Sequence, residues 1–201
     1  MGSQMKVVVV GGTGTIGAAV AAALEANKHE VIRVSRKIAP RIDISDPASI
    51  RRFFTEVKDL DAVVSCAGDA RFAPLDKLTD QDFLFTVNNK LLGQVNLVRS
   101  ALPAVREGGS ITITSGVLSK FPMVGSGAVS MVNAGLEGFT RVAALEATRG
   151  VRVNVVCPGW VKETMVKFGM DPTPGKAAVD VARAYVEAVE GSMNGQTIEP
   201  K

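Results

Sequence analysis

The run Gly11-Gly12-Thr13-Gly14-Thr15-Ile16-Gly17 carries the spacing G-x-G-x-x-G through Gly12, Gly14 and Gly17. It stands between a β-branched apolar run and an alanine-rich stretch, the strand–turn–helix context in which this spacing has meaning. Glycines there permit a tight turn and let backbone N–H groups meet a pyrophosphate at the positive end of the helix. Dinucleotide binding is the chemistry implied; a merely structural turn is the plainer alternative. About 20 residues further on, an acid would be expected to hold a ribose 2′-hydroxyl. The chain instead reads Val34-Ser35-Arg36-Lys37, and a hydroxyl with two cations suits a 2′-phosphate. This favours NADP(H) over NAD(H), against the alternative that Arg36 and Lys37 form a solvated loop.

The elements that must position these residues alternate. The spacing predicts strands over 6–10, 30–34, 42–44, 61–65, 110–114, 151–156 and 197–199. Helices are predicted over 14–27, 47–57, 80–105 (broken near its end by Pro103), 126–148 and 179–189. Strand–helix alternation of this kind implies a parallel sheet, so the fold class is α/β: a Rossmann-type doubly wound sheet of about seven strands in a three-layer sandwich. One domain over 5–200 accounts for the 201 residues, with the four residues ahead of Met5 set aside. The least regular stretch, rich in Gly and Pro within 160–178, follows a strand's C-terminal end and is read as a substrate lid.

Composition narrows the classes. A net charge of +3 is too small and too scattered to make nucleic acid the default partner. No apolar run is long enough to span a membrane. Two cysteines, Cys66 and Cys157, and one histidine, His29, cannot build a structural metal site or a disulfide framework, so no metal is expected and a reduced, cytoplasmic protein is the plain reading. His29 reads as a solvated loop residue. Cys66 and Cys157 both end strands on the ligand side. Trp160 is a candidate wall of the substrate pocket, and Met123, Met131, Met165 and Met170 are either pocket lining or gap-filling core.

With these residues in place, the chain resembles the short-chain dehydrogenase/reductase family along nearly its whole length. The loop read as G-x-x-G-x-x-G (Gly11, Gly14, Gly17), Asp43-Ile44, Cys66-Ala67-Gly68, Cys157-Pro158-Gly159-Trp160-Val161 and Gly195-Gln196-Thr197-Ile198 carry the resemblance. It implies that Gly11, Thr13, Gly14, Thr15, Ile16 and Gly17 hold the phosphates and that Ser35 and Arg36 meet the 2′-phosphate. Asp43 and Ile44 would flank the adenine, with Cys66, Ala67 and Gly68 beside them. Pro158, Gly159, Val161 and Thr164 would line the nicotinamide, Thr164 standing one residue from the usual threonine.

The family's catalytic set is a Ser, a Tyr, a Lys four residues later and an Asn from the preceding long helix. Aligning 133–139 on the family's K-A-G-x-x-G-F places Asn133 at the Lys position, Val129 at the Tyr position, Gly116 at the Ser position and Lys90 at the Asn position, one after Asn89. All four are changed, and the one tyrosine, Tyr185, lies in the last helix. Lys90, if desolvated, could act as an acid or bind an anionic group; otherwise it is a helix-surface lysine. Ser115 offers a hydroxyl, as do Ser126 and Ser130, and Asn133 could keep a hydrogen bond to the ribose.

Three readings follow. One is an NADP(H)-dependent oxidoreductase moving hydride to or from a small organic substrate with a non-standard proton donor. A second is a catalytically inactive NADP(H)-binding sensor, and a third a domain acting on a nucleotide-like substrate without redox. The apolar face Val129, Val132, Leu136, Phe139 and Val142 exceeds what a small monomer needs, and the resemblance implies pairing of such helices in a homodimer or homotetramer.

Overall fold

The computed structural model describes residues 3–201; residues 1–2, part of the segment set aside ahead of Met5, lie outside the described residues. In chain order the elements are β1 (Lys6–Val10), α1 (Thr15–Ala26), β2 (Glu30–Val34), α2 (Pro47–Glu56), β3 (Leu60–Ser65), α3 (Asp80–Thr86), α4 (Gly93–Ala101), β4 (Val105–Thr114), α5 (Gly127–Glu146), β5 (Arg152–Val156), α6 (Lys162–Lys167), α7 (Ala178–Glu190) and β6 (Thr197–Ile198). The strands form one six-stranded sheet in the order β2-β1-β3-β4-β5-β6, with every pairing parallel.

The uninterrupted valines of β1 are explained by burial on both faces. Val8 and Val10 join Ile50, Phe53, Leu97 and Leu136 beneath α2, α4 and α5, whereas Val7 and Val9 join Val20, Leu24, Val181 and Tyr185 beneath α1 and α7. These are the three layers. Because β2 and β3 flank β1 on opposite sides, the chain reverses direction across the sheet there. The crevice at the strands' C-terminal ends is where a parallel sheet of this type receives a ligand.

Three expectations about the elements are corrected. Residues 42–44 form no strand; their side chains are buried (Ile42, Ile44), but the only ladder contact nearby is an isolated bridge from Ser35 to Arg41. The Asp43 N–H goes to Ser49 Oγ at 3.0 Å and the Ser45 N–H to Asp43 Oδ1 at 3.0 Å, so side chains take the donors that a strand would need. The sheet therefore has six strands. The helix predicted over 80–105 is broken at Val87–Leu92 by a wider π-helical turn and stops at Ala101, with β4 beginning at Val105. The stretch read as an irregular lid contains α6, seated by the buried Met165.

Two side-chain expectations also change. His29 is not solvated: its side chain is 6% exposed, Nδ1 accepts from Met5 N at 3.2 Å, and Nε2 lies 3.0 Å from Glu190 Oε1. The α5 face taken as surplus is largely core, since Val129, Val132 and Leu136 are buried and Phe139 packs against the cluster that holds Leu136; only Val142 of that set is exposed. No helix among the described residues is long and apolar enough to cross a membrane, and none of their His, Cys, Asp and Glu side chains cluster as a metal site.

Candidate active site

The glycine turn is built by contacts that leave no room for side chains. Gly11 N and Gly12 N both donate to Val34 O, at 2.9 and 3.2 Å, tying the turn to the end of β2. A Cβ on Gly17 would stand 2.1 Å from Gly11 O, so only glycine lets α1 begin so close beneath the turn. The first turn of α1 holds no acidic residue and no side-chain cap, so its N–H groups are free for an anion.

Two cavities share the wall Cys66-Ala67-Gly68-Asp69. The smaller, about 280 Å³, is bounded by Gly11, Thr13 and Gly14 of the turn, and by Ser35, Arg36, Lys37, Asp43 and Ile44. The larger, about 540 Å³, is bounded by Ile16, Lys90, Ser115, Asn133, Trp160 and Phe168, and by Pro158, Gly159, Val161 and Thr164. Every site residue singled out from the sequence thus borders this continuous groove except Thr15 and Gly17, which belong to the first turn of α1. None of the four methionines lines it. Ser126 and Ser130 are committed to each other and to Met123 O.

Lys90 owes its place to the π-helical turn. The wider turn changes the helical phase there, as such bulges do at functional sites, and Asn89 Nδ2 caps Phe85 O at 3.2 Å beside it. Gly68, at φ +148, passes the Lys90 stem, whose Cγ would be 3.0 Å from any added Cβ. The Lys90 ammonium donates to Ser115 O at 3.1 Å. Burial pulls it from the ordinary 10.5 down to about 8. Asp69 opposes that fall; Cys157 does so only as a thiolate, and burial pushes its thiol up.

Behind Ser115 lies a group missed in the sequence. Glu137, on α5, is buried and its Oε1 accepts from Ser119 Oγ at 2.6 Å and from Ser115 Oγ at 3.2 Å. The Ser115 hydroxyl is therefore spent on a carboxylate, while its carbonyl serves Lys90. The signal in the sequence was an acid set in the middle of the small and apolar residues of α5, whose one other acid, Glu146, is its last residue. Asn133 is 1% exposed; its Nδ2 donates to Gly116 O at 3.1 Å, and its Oδ1 lacks any partner.

Tyr185 is out of reach. It is wholly buried, its hydroxyl 2.7 Å from Thr114 Oγ1 under the floor of the larger cavity, and burial raises it well above the usual tyrosine range. Cys66, beside it, is pushed up to about 12 by burial. Both cysteines are free. At the cavity mouth Arg71 lies 4.0 Å above the Phe85 ring and 3.7 Å from Asp82 Oδ1.

A family model described as enoyl-(acyl carrier protein) reductase matches residues 12–189. Carbonyl reductase family member 4 of Xenopus laevis is 29% identical over 178 residues, covering 78% of this chain and 75% of that protein. Among solved structures, the protein lin1944 from Listeria innocua superposes with a TM-score of 0.92 at 34% identity, over 98% of this chain and 100% of that one. A small-chain dehydrogenase in complex with NADPH superposes at 0.88 with 29% identity, over 98% and 96%.

Proposed function

Since the chain belongs to the short-chain dehydrogenase/reductase family, we propose that it is an NADP(H)-dependent oxidoreductase acting on a small organic substrate, with Lys90 moving the proton. The observation that carries this reading is the part-buried Lys90 ammonium lining the larger cavity, fixed by one hydrogen bond to Ser115 O and pulled by burial from 10.5 to about 8.

The groove fits the cofactor. The turn at Gly11–Gly14 is a cradle for phosphates, and Arg36 and Lys37, both exposed beside the smaller cavity, supply charge for a 2′-phosphate. The unpartnered Asn133 Oδ1 is an acceptor suited to a ribose hydroxyl in the larger cavity. When bound, the nicotinamide supplies or accepts hydride. The chain's own residues do the rest. Ser115 O uses one of the three N–H bonds of Lys90, leaving the others for a substrate oxygen. Glu137 holds Ser115 and hence that carbonyl. As negative charge develops on the oxygen, Lys90 stabilises it and gives up a proton, favoured by the low polarity around it. Phe72, Val117, Leu118 and Trp160 exclude water and suit an apolar substrate; a conjugated alkene or imine demands less of the donor than a ketone.

The test is titration with NADPH and NADH, then turnover against carbonyls, enones and imines with the wild type and Lys90→Met. NADPH binding with turnover that collapses in the variant supports the reading. Binding without turnover on any substrate favours the inactive sensor, for which the burial of Val129 in the cavity wall and the absence of any tyrosine there speak. Assembly as a homodimer or homotetramer would use the exposed Met131, Val142 and Leu145 stripe of α5, and the free cysteines suit a reducing cytoplasm.

A further inference from the structure

We propose that Lys167, at the end of α6, is the cation that meets the cofactor's diphosphate; the proposal rests on the dinucleotide reading above. Thr15 is the hinge of the argument. Its neighbour Gly14 borders the smaller cavity and its other neighbour Ile16 the larger, so a dinucleotide filling both brings its diphosphate near this point. Lys167 Nζ donates to Thr15 Oγ1 at 2.6 Å.

The electrostatics there lack an anion. The first turn of α1 has no acidic residue and no side-chain cap, so its positive end is uncompensated by the helix's own side chains. Among the described residues, the ion pairs formed by the protein do not include Lys167. A helix N-terminus and an ammonium group therefore converge with no carboxylate between them, and a diphosphate supplies what both lack.

The position is held by its surroundings. Lys162 N donates to Lys176 O and Lys176 N to Trp160 O, each at 2.8 Å, closing the base of the segment. Glu163 accepts from Ala178 N through both carboxylate oxygens, at 3.0 and 3.1 Å, fastening the start of α6 to α7. The free end of α6 is the one that bears Lys167.

The test measures dissociation constants for NADPH and for adenosine 2′-monophosphate, over a range of KCl, in the wild type, Lys167→Met and Lys167→Arg. Lys167→Met is expected to weaken NADPH about tenfold at low salt and to make its binding less dependent on KCl. Lys167→Arg should restore most of both, and the adenosine monophosphate, which has no diphosphate, should bind all three alike. An unchanged NADPH affinity and salt dependence in Lys167→Met overturns the proposal, as does equal weakening of both ligands. If the wild type binds neither ligand, the cofactor reading falls and takes this one with it; an insensitive Lys167→Met in a wild type that binds NADPH removes this proposal alone.

Discussion

Gln94 and Thr114 exchange two hydrogen bonds, Gln94 Nε2 to Thr114 O and Thr114 N to Gln94 Oε1, both at 2.8 Å. The fully buried amide thus pairs with the last residue of β4 as a neighbouring strand would, although it comes from a helix. It ties the helix that carries Lys90 to the strand end that carries Ser115. Gln94→Leu leaves a buried N–H and a carbonyl unpaired and is expected to cost about 2–4 kcal/mol, read from denaturant unfolding. Equal stability of the variant would show that the pairing is dispensable.

The proposed proton donation by Lys90 implies a pH profile. Its ammonium is present below about 8, so reduction should be level there and fall about tenfold per pH unit above it, with oxidation showing the opposite trend. Lys90→Met should lower turnover by about 10²–10⁴-fold and abolish that inflection, while NADPH binding persists. A profile in the variant that matches the wild type would place the proton elsewhere.

The same burial carries a stability consequence. The folded value, about 8, lies below the ordinary 10.5, so the folded protein binds fewer protons between those limits. The cost is complete below pH 8, shrinks as pH rises, and is gone above about 10.5. Lys90→Met is therefore expected to be more stable than the wild type at pH 7 by about 1–3 kcal/mol, allowing for the loss of its bond to Ser115. The advantage should vanish as melting curves are taken toward pH 10.5.

Tyr185→Phe distinguishes a structural tyrosine from a catalytic one. Removing the hydroxyl leaves Thr114 Oγ1 with its bond to Ser65 O at 2.6 Å, so the loss should be about 1 kcal/mol of stability. Turnover should stay within a few-fold of wild type in a steady-state assay; a collapse would return the proton to the tyrosine.

The proposed preference for NADP(H) makes Arg36 its test. Arg36→Ala should weaken NADPH about 10-fold or more and leave NADH nearly unchanged, since only the former carries the 2′-phosphate. Parallel titrations decide it, and an equal loss for both nucleotides would assign Arg36 to general electrostatics.

Local chemistry made much of the molecule legible from the chain. The glycine spacing at Gly11–Gly17 admits few backbone paths, and the valine run of β1 fits only a strand covered on both faces, so the turn, the parallel sheet and the groove's location were readable. The strand expected at 42–44 was not absent for want of apolar residues; Ser49 and Asp43 side chains captured the donors, which depends on where α2 starts. The π-helical turn, the pairing of Gln94 with Thr114, and the Glu137–Ser115 contact each join residues 20 or more positions apart or change helical phase, and periodicity carries no trace of them. Lys90 was nameable from its position in the chain. Its desolvation is a property of the walls that Gly68, Ser115 and Cys157 bring around it, and only the packed tertiary structure assembles those walls.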